Sequence, residues 1–308
     1  MEFVVETHDL TRVFGDFTAV DKLNIKIRPG EIYGFLGPNG AGKSTAIRML
    51  CGILEPSAGS AAILGYDLLR ETEKIKSQIG YMSQKFSLYD DLTVLENLNF
   101  YAGIYSISRK MRQERIQEML VMAGLTGREK ELAANLSGGW KQRLALGCAI
   151  IARPSIVFLD EPTSGVSPTS RRMFFNIIQG LAKEGTTIMV TTLFMDEAER
   201  CHKIAFISAG KLMAVDTPDY LKKNTLQGFL VELAIPQAIE KISAIENLPY
   251  VKDCSIHGPL LHILLADAKH MGDLRDFTGI EPRPIIPSLE DVFIALTKRQ
   301  REGCEGNA

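Results

Sequence analysis

Residues 37–45 read GPNGAGKST, and the spacing G-x-x-x-x-G-K-S is that of a loop built to hold phosphate. Gly37, Gly40 and Gly42 allow a curled backbone whose consecutive N–H groups turn inward toward anionic oxygen. Pro38, Asn39 and Ala41 fill the positions between them. Lys43 supplies a point charge for the β- and γ-phosphates, and the Ser44 hydroxyl suits Mg²⁺. Thr45 continues into a helix whose positive end faces the same anion. The chemistry predicted for this loop is binding of a nucleotide polyphosphate with its magnesium ion.

Two more segments carry groups that such a ligand needs. IVFLDEP at 156–162 is an apolar run ending in two acids. Beside a phosphate loop, an aspartate at such a strand end holds the water shell of Mg²⁺, the role given to Asp160. Glu161, next to it, can polarise an attacking water. LSGGWKQRLALG at 136–147 predicts a helix capped by Ser137, with Gly138 and Gly139 in its first turn and N–H groups left bare for an anion. Alone, that segment is an ordinary helix start. Beside the other two it makes a second anion-binding helix start in one chain.

Positioning these groups requires an alternating framework. Residues 2–10 and 17–27 alternate like strands around a turn at Gly15-Asp16, and 31–37 is a short apolar strand leading into the loop. A helix follows over 43–53, ended by Gly52 and Pro56. Residues 60–83 predict a strand, a short helix and a strand, and about 91–150 is helical. Strand and helix then alternate through 156–160, 168–183, 186–192, MDEAERC and KIAFIS. The expected fold is α/β: a central, mostly parallel sheet, an antiparallel β subdomain, a helical subdomain at about 85–150, and a small C-terminal α+β extension. The boundaries read as 1–223 for the nucleotide-binding domain, 224–300 for the accessory domain, whose last helix starts at Pro287-Ser288, and 301–308 for a disordered tail.

A formal net charge of −2 carries no electrostatic footprint for nucleic acid, and none is expected as a partner. The five cysteines lie far apart in sequence without a C-x-x-C pair, which argues against a zinc site or redox motif, and their odd number argues against a secreted disulfide framework; reduced thiols in the cytosol fit. Residues 1–10 lack the apolar core of a signal peptide. Apolar stretches such as LALGCAII fall far short of the ~20 residues that span a bilayer, so any service to a membrane is expected from outside the bilayer.

The order of these motifs resembles the nucleotide-binding subunit of an ABC transporter. GPNGAGKST matches the Walker A loop, LSGGW the signature motif and IVFLDEP the Walker B strand. Gln84, in YMSQ, falls at the Q-loop glutamine, which the resemblance assigns to the metal and the catalytic water, and Phe14, in RVFGDF, at the aromatic position that stacks on adenine. The resemblance covers about residues 2–223. It implies a P-loop ATPase that takes ATP and Mg²⁺ and dimerises head to tail, so that Ser137, Gly138 and Gly139 close over the nucleotide of a second subunit, a copy or a relative. PSLEDVFIALT, LSGGW and MDEAERC are similar to the ATP-binding subunits of ABC-2-type exporters of drugs, solvents or polysaccharides. The partner so implied is an integral-membrane ABC-2-type permease, with the chain peripheral on the inner membrane face.

Three positions depart from that pattern. Trp140 stands where glutamine is usual, and Ser167 where the D-loop has aspartate. Leu193, in VTTLFMDEAE, falls at the switch histidine that contacts the γ-phosphate. Leucine neither donates nor accepts a hydrogen bond, and losing one such donor costs about 10²–10³ in rate. His202, past the following helix, reads as a surface residue rather than a replacement, and His8, His257, His262 and His270 lie outside the motif set. The expected activity is transport-coupled ATP hydrolysis with weak basal turnover. The rival is a hydrolysis-impaired clamp, the regulatory or degenerate half of a heterodimer. A soluble ABC ATPase acting on ribosomes or DNA is disfavoured, because this chain has one cassette and no heptad arm.

Overall fold

The computed structural model describes residues 2–84, 88–235 and 238–305. The chain divides into two compact units, Met1–Val215 and Asp216–Ala308. The first opens with β1 (Val5–Phe14), β2 (Phe17–Leu23) and β3 (Lys26–Ile27), after which β4 (Ile32–Leu36) runs through a loop into α1 (Lys43–Leu50). Next come β5 (Ala58–Ile63), β6 (Tyr66–Asp67), α2 (Thr72–Lys76) and β7 (Ile79–Met82). Three helices follow, α3 (Val94–Ile104), α4 (Arg109–Ala123) and α5 (Gly138–Ile150). The chain then alternates through β8 (Ile156–Leu159), α6 (Pro168–Lys183), β9 (Thr187–Thr192), α7 (Met195–Ala198), β10 (Lys203–Ser208) and β11 (Lys211–Asp216).

The central sheet has the order β11-β10-β4-β9-β8-β7, and its inner pairs from β10 to β7 are parallel. Every residue of β4, β8 and β9 is buried, as expected for strands covered on both faces. That explains why IYGFL, IVFL and TIMVTT show no alternation. A second, antiparallel sheet runs β2-β1-β5-β6 with β3 beside β1. Val5, Leu10, Val20 and Ile63 from it join Tyr33, Phe35 and Phe158 of the central sheet and Ile47 and Leu50 of α1 in one core. The expected α/β arrangement with an antiparallel subdomain and a helical insertion is what the chain adopts.

Local signals set the helix ends. Thr93 and Glu96 form a reciprocal capping box at the start of α3. Gly124, in the left-handed conformation, ends α4. Ser167 caps α6 and Pro168 occupies its first turn.

The second unit contains α8 (Pro218–Asn224), β12 (Phe229–Leu233), α9 (Ala238–Glu246), β13 (Val251–His257), β14 (Leu260–Leu265), α10 (Met271–Thr278), β15 (Arg283–Pro284) and α11 (Leu289–Glu305). Its antiparallel sheet has the order β13-β14-β12-β15. Val231, Leu233, Cys254, Leu261 and Ile263 bury one face with Ile245 and Leu274. One expectation needs correction. The helix α11 continues to Glu305, into residues read as a disordered tail. Lys298-Arg299-Gln300-Arg301-Glu302 are all good helix formers, and their polarity does not prevent the helix from continuing. Among the described residues no helix is long and apolar enough to cross a membrane.

Candidate nucleotide-binding site

The parallel register brings three motif ends together. Leu36 pairs with Thr192, and Leu159 with Val190, so Gly37, Asp160 and Leu193 all follow strands that stop along one edge of the sheet. That is where open α/β sheets bind ligands. Between β4 and α1 the loop turns through Gly40 (φ 79°) and Gly42 (φ 101°), conformations that side chains resist. At Gly42 a Cβ would also lie 2.3 Å from the Ala19 carbonyl oxygen, and at Gly37 a Cβ would lie 2.2 Å from that of Ile207. These glycines therefore let the loop sit against the antiparallel subdomain and β10. No side chain caps the first turn of α1, and its leading N–H groups face the loop unused by a cap.

Lys43 is buried, and its ammonium reaches Gly37 O at 2.8 Å, Pro38 O at 3.0 Å and Glu161 Oε1 at 3.1 Å. Its three N–H donors are thus all engaged. A phosphate oxygen that takes Lys43 competes with the Glu161 carboxylate. The other oxygen of Glu161 accepts from Gln84 Nε2 at 2.8 Å. Ser44 Oγ donates to Asp160 Oδ1 at 2.8 Å, and Thr191 Oγ donates to the same oxygen at 3.0 Å. Burial pushes the Asp160 carboxyl above its ordinary range; the bonds from Ser44 and Thr191 oppose that shift, and neighbouring Glu161 adds to it. A buried carboxylate whose ionisation is disfavoured gains from a nearby cation. Ser44 Oγ and Asp160 Oδ1, hard oxygen donors side by side, fit Mg²⁺.

Nothing in the β-branched run TIMVTT marks Thr191 as a site residue. Its hydroxyl also accepts from the Glu161 N–H at 2.7 Å, holding Glu161 at φ 46°. Another such residue is Glu197, buried on α7. It accepts from Thr163, after the acidic strand end, and from Thr192, at the end of β9. Thr192 Oγ in turn accepts from Phe194 N at 3.0 Å, which shapes the turn carrying Leu193. Leu193 itself is half-buried. Arg171 lies 3.9 Å over the Phe194 ring beside it. His202 is exposed and accepts from Ile32 N at 2.9 Å, at the opposite end of β4 from the loop.

Of the remaining sequence-selected residues, those of the 37–45 loop adjoin this cluster, with Pro38 O on Lys43, whereas among the described residues Phe14 and the Ser137 segment make no contact with it. Phe14, 45% exposed at the β1–β2 tip, has the Arg12 guanidinium 4.5 Å over its ring. Pro38, Asn39 and Gly40 are exposed, Ala41 is buried, and Thr45 lies half-buried in the first turn of α1. Ser137 holds the N-cap position of α5, but its hydroxyl makes no capping bond, contrary to the expectation from sequence. Gly138 and Gly139 instead permit close packing. At Gly139 a Cβ would meet Ser170 Oγ at 2.6 Å, and at Gly138 one would meet Val166 at 3.2 Å. Ser167 Oγ accepts from Ser170 N at 3.3 Å. Trp140 is stacked by Arg143 at 4.0 Å and Arg128 at 4.8 Å, and so serves the helical insertion.

The same fold occurs in known proteins. A family model described as ABC transporter matches residues 20–164. The Nod factor export ATP-binding protein I of Paraburkholderia xenovorans is 33% identical over 309 residues, 98% of this chain and 99% of that protein. The linearmycin resistance ATP-binding protein LnrL of Bacillus subtilis is 33% identical over 307 residues, 96% and 99% of the two chains. The probable multidrug ABC transporter ATP-binding protein YbhF of Escherichia coli is 49% identical over 224 residues, 73% of this chain. This chain covers 39% of the length of YbhF. Among solved structures, an ATP-binding subunit of an ABC transporter superposes with a TM-score of 0.65 at 28% identity, over 71% of this chain and 92% of that one. A cassette in a dimeric post-hydrolysis state bound to ADP and Pi gives 0.64 at 26% identity, over 69% and 98%. With two relatives matched end to end and the 37–45 loop and the Asp160-Glu161 strand end meeting along one sheet edge, the chain belongs to the ATP-binding proteins of ABC transporters.

Proposed function

We propose that this protein binds Mg·ATP on the 37–45 loop, closes against a second ATP-binding subunit, either its own copy or a relative, and hydrolyses ATP to power an ABC-2-type membrane exporter from the inner membrane face. The observation that carries the reading is the convergence of Lys43, Ser44, Gln84, Asp160 and Glu161 through direct contacts. Lys43 and the bare N–H groups of the loop and α1 receive the β- and γ-phosphates. Ser44 and Asp160, with Gln84, hold Mg²⁺, which supplies charge neutralisation at the phosphates when bound. Transfer of Lys43 from Glu161 to phosphate frees a carboxylate that Gln84 still orients, ready to accept a proton from water. Phe14 offers its exposed face to adenine. Ser137, Gly138 and Gly139 stand exposed or half-exposed at a helix start, as a surface contributed to the other subunit's nucleotide requires. The exporter class rests on likeness to proteins named for Nod factor export and linearmycin resistance.

Lys43→Ala tests the site. Loss of a charge-assisted contact of about 3 kcal/mol lowers ATP affinity about a hundredfold, read by fluorescent-nucleotide titration. Unchanged affinity would refute the assignment. A second reading, a clamp that binds ATP without turning it over, is favoured by Leu193. Phosphate release by the purified chain, beside a Glu161→Gln control, separates the two. A rate equal to that of the control selects the clamp.

A further inference from the structure

The second unit buries a group of polar side chains that nucleotide chemistry does not use. His257 ends β13 and His262 lies on β14. The pairs His257–Leu260 and Ser255–His262 make the two histidines diagonal neighbours on one face of the hairpin. That face is opposite the one where Cys254, Leu261 and Ile263 enter the apolar core. Asp291, in the first turn of α11, meets them. Its Oδ1 lies 2.8 Å from His262 Nδ1 and 3.2 Å from His257 Nε2. The side chains of His257, His262 and Asp291 are only 14%, 12% and 4% exposed.

Two further details distinguish this cluster from an incidental ion pair. First, the carboxylate is held from behind. Its Oδ2 accepts from both the N–H and the hydroxyl of Ser288, each at 2.7 Å, which leaves Oδ1 directed at the histidines. A carboxylate so oriented by an outer partner is the usual support of a metal ligand. Second, His257 Nε2 is buried without a hydrogen-bond partner, because at 3.2 Å from Asp291 it is close but misaligned. A buried imidazole nitrogen left unpaired is costly, and a cation would engage its lone pair. The three ligand atoms lie within 4.8 Å of one another. Bond lengths of about 2.0–2.2 Å around a tetrahedral ion place ligand atoms about 3.4 Å apart, beside the 2.8 and 3.2 Å that separate Asp291 Oδ1 from the two histidine nitrogens.

We propose that His257, His262 and Asp291 form a binding site for a borderline divalent cation of the zinc type, which clips the β13–β14 hairpin to the start of α11. Two imidazoles and one carboxylate suit Zn²⁺, Co²⁺ or Ni²⁺ rather than Mg²⁺ or Ca²⁺, and leave a fourth position for water. The two rings are stacked face to face, 3.8 Å apart and 11° from parallel. Parallel rings point their lone pairs side by side, so binding fans them apart by side-chain rotation while the hairpin keeps its register.

The test uses the untagged full chain, freed of metal with a chelator and titrated with Co²⁺ alone. The expected result is one equivalent bound with the intense visible absorption of four-coordinate cobalt, displaced by Zn²⁺. His257→Gln and His262→Gln, which keep volume and a polar tip, each weaken binding more than about tenfold with far-UV circular dichroism unchanged. His270→Gln, at a half-buried histidine of the same unit that pairs with Asp273 instead, leaves binding as it was. Absence of binding would overturn the proposal, as would a sulfur-to-cobalt charge-transfer band. So would the weak spectrum of six-coordinate cobalt, which would place the ion at the Ser44–Asp160 oxygens, or affinity that the two glutamine variants leave unchanged. A variant that loses its circular dichroism is replaced by Asp291→Asn, judged by the same titration.

Discussion

Replacing Leu193 with histidine tests whether one missing donor limits turnover. Leu193 follows the Leu36–Thr192 pair directly, so the residue stands at the sheet edge where β4 leads into the first glycine of the phosphate loop. The surrounding frame is already built, with Thr192 Oγ bonded to Phe194 N and to buried Glu197. A hydrogen-bond donor aimed at charge developing in a transition state is worth about 2.7–4 kcal/mol. From that must be taken about 1 kcal/mol for ordering an imidazole with no second group to orient it. The remaining 2–3 kcal/mol corresponds to a rise in kcat of about 30- to 150-fold. Exchanging a half-buried leucine for histidine also lowers folding stability by about 1 kcal/mol, visible as a small drop in Tm. The assay is phosphate release under saturating Mg·ATP, with Leu193→Ala beside Leu193→His. Alanine removes the bulk and adds no donor, so it leaves kcat where it was. If alanine raised kcat as much as histidine, leucine would act by steric obstruction and the donor argument would fail. Vigorous hydrolysis by the unmodified chain would refute it more simply.

Further outcomes follow from the same network. Asp160 has a raised carboxyl pKa in the folded chain, so it contributes stability at low pH that is lost as pH rises from the ordinary carboxylate range through the raised value. In the absence of nucleotide and Mg²⁺, Asp160→Asn therefore gains Tm relative to the parent as pH increases. The gain is about 1.4 kcal/mol for each factor of ten by which folding tightens the carboxyl's hold on its proton, and a gain that shrinks with pH would contradict this. With Mg·ATP present the proposed site predicts the reverse order, because the variant lacks the carboxylate assigned there to Mg²⁺. Thr191→Val keeps the shape of β9 but leaves the buried Glu161 N–H without its acceptor. It should cost about 1–3 kcal/mol in chemical denaturation and lower kcat, with little change in ATP affinity; an effect on affinity alone would mean that Thr191 does not position Glu161.

What could be read from sequence divides by the distance over which each feature is encoded. The phosphate loop is local: glycine spacing, lysine and hydroxyl lie within one short segment, so GPNGAGKST discloses its own chemistry before any fold is known. Gln84 and Glu161 are 77 residues apart, and a hydrogen bond between them exists only because β7 and β8 lie side by side in parallel. Motif order could pair them by resemblance, but not by residue physics. Thr191 shows the limit more sharply. Within TIMVTT a threonine is good strand material, and the propensity that places it in β9 hides its second use. Only the register of β9 against β8 reveals that its hydroxyl faces both Asp160 and the backbone of Glu161. Ser137 errs in the opposite direction. The local rule for helix starts predicts a capping hydroxyl, yet Ser137 makes no such bond, and the two glycines after it serve a close approach of Val166 and Ser170 that only the tertiary fold supplies. The histidines of the second unit, which match no spacing, share that dependence. A hairpin register and a capping-box acid at the start of α11 assemble His257, His262 and Asp291. The glycine loop discloses its ligand through spacing. That trio discloses a ligand only through the fold, and cobalt titration of the full chain is the measurement that distinguishes a built site from a satisfied helix cap.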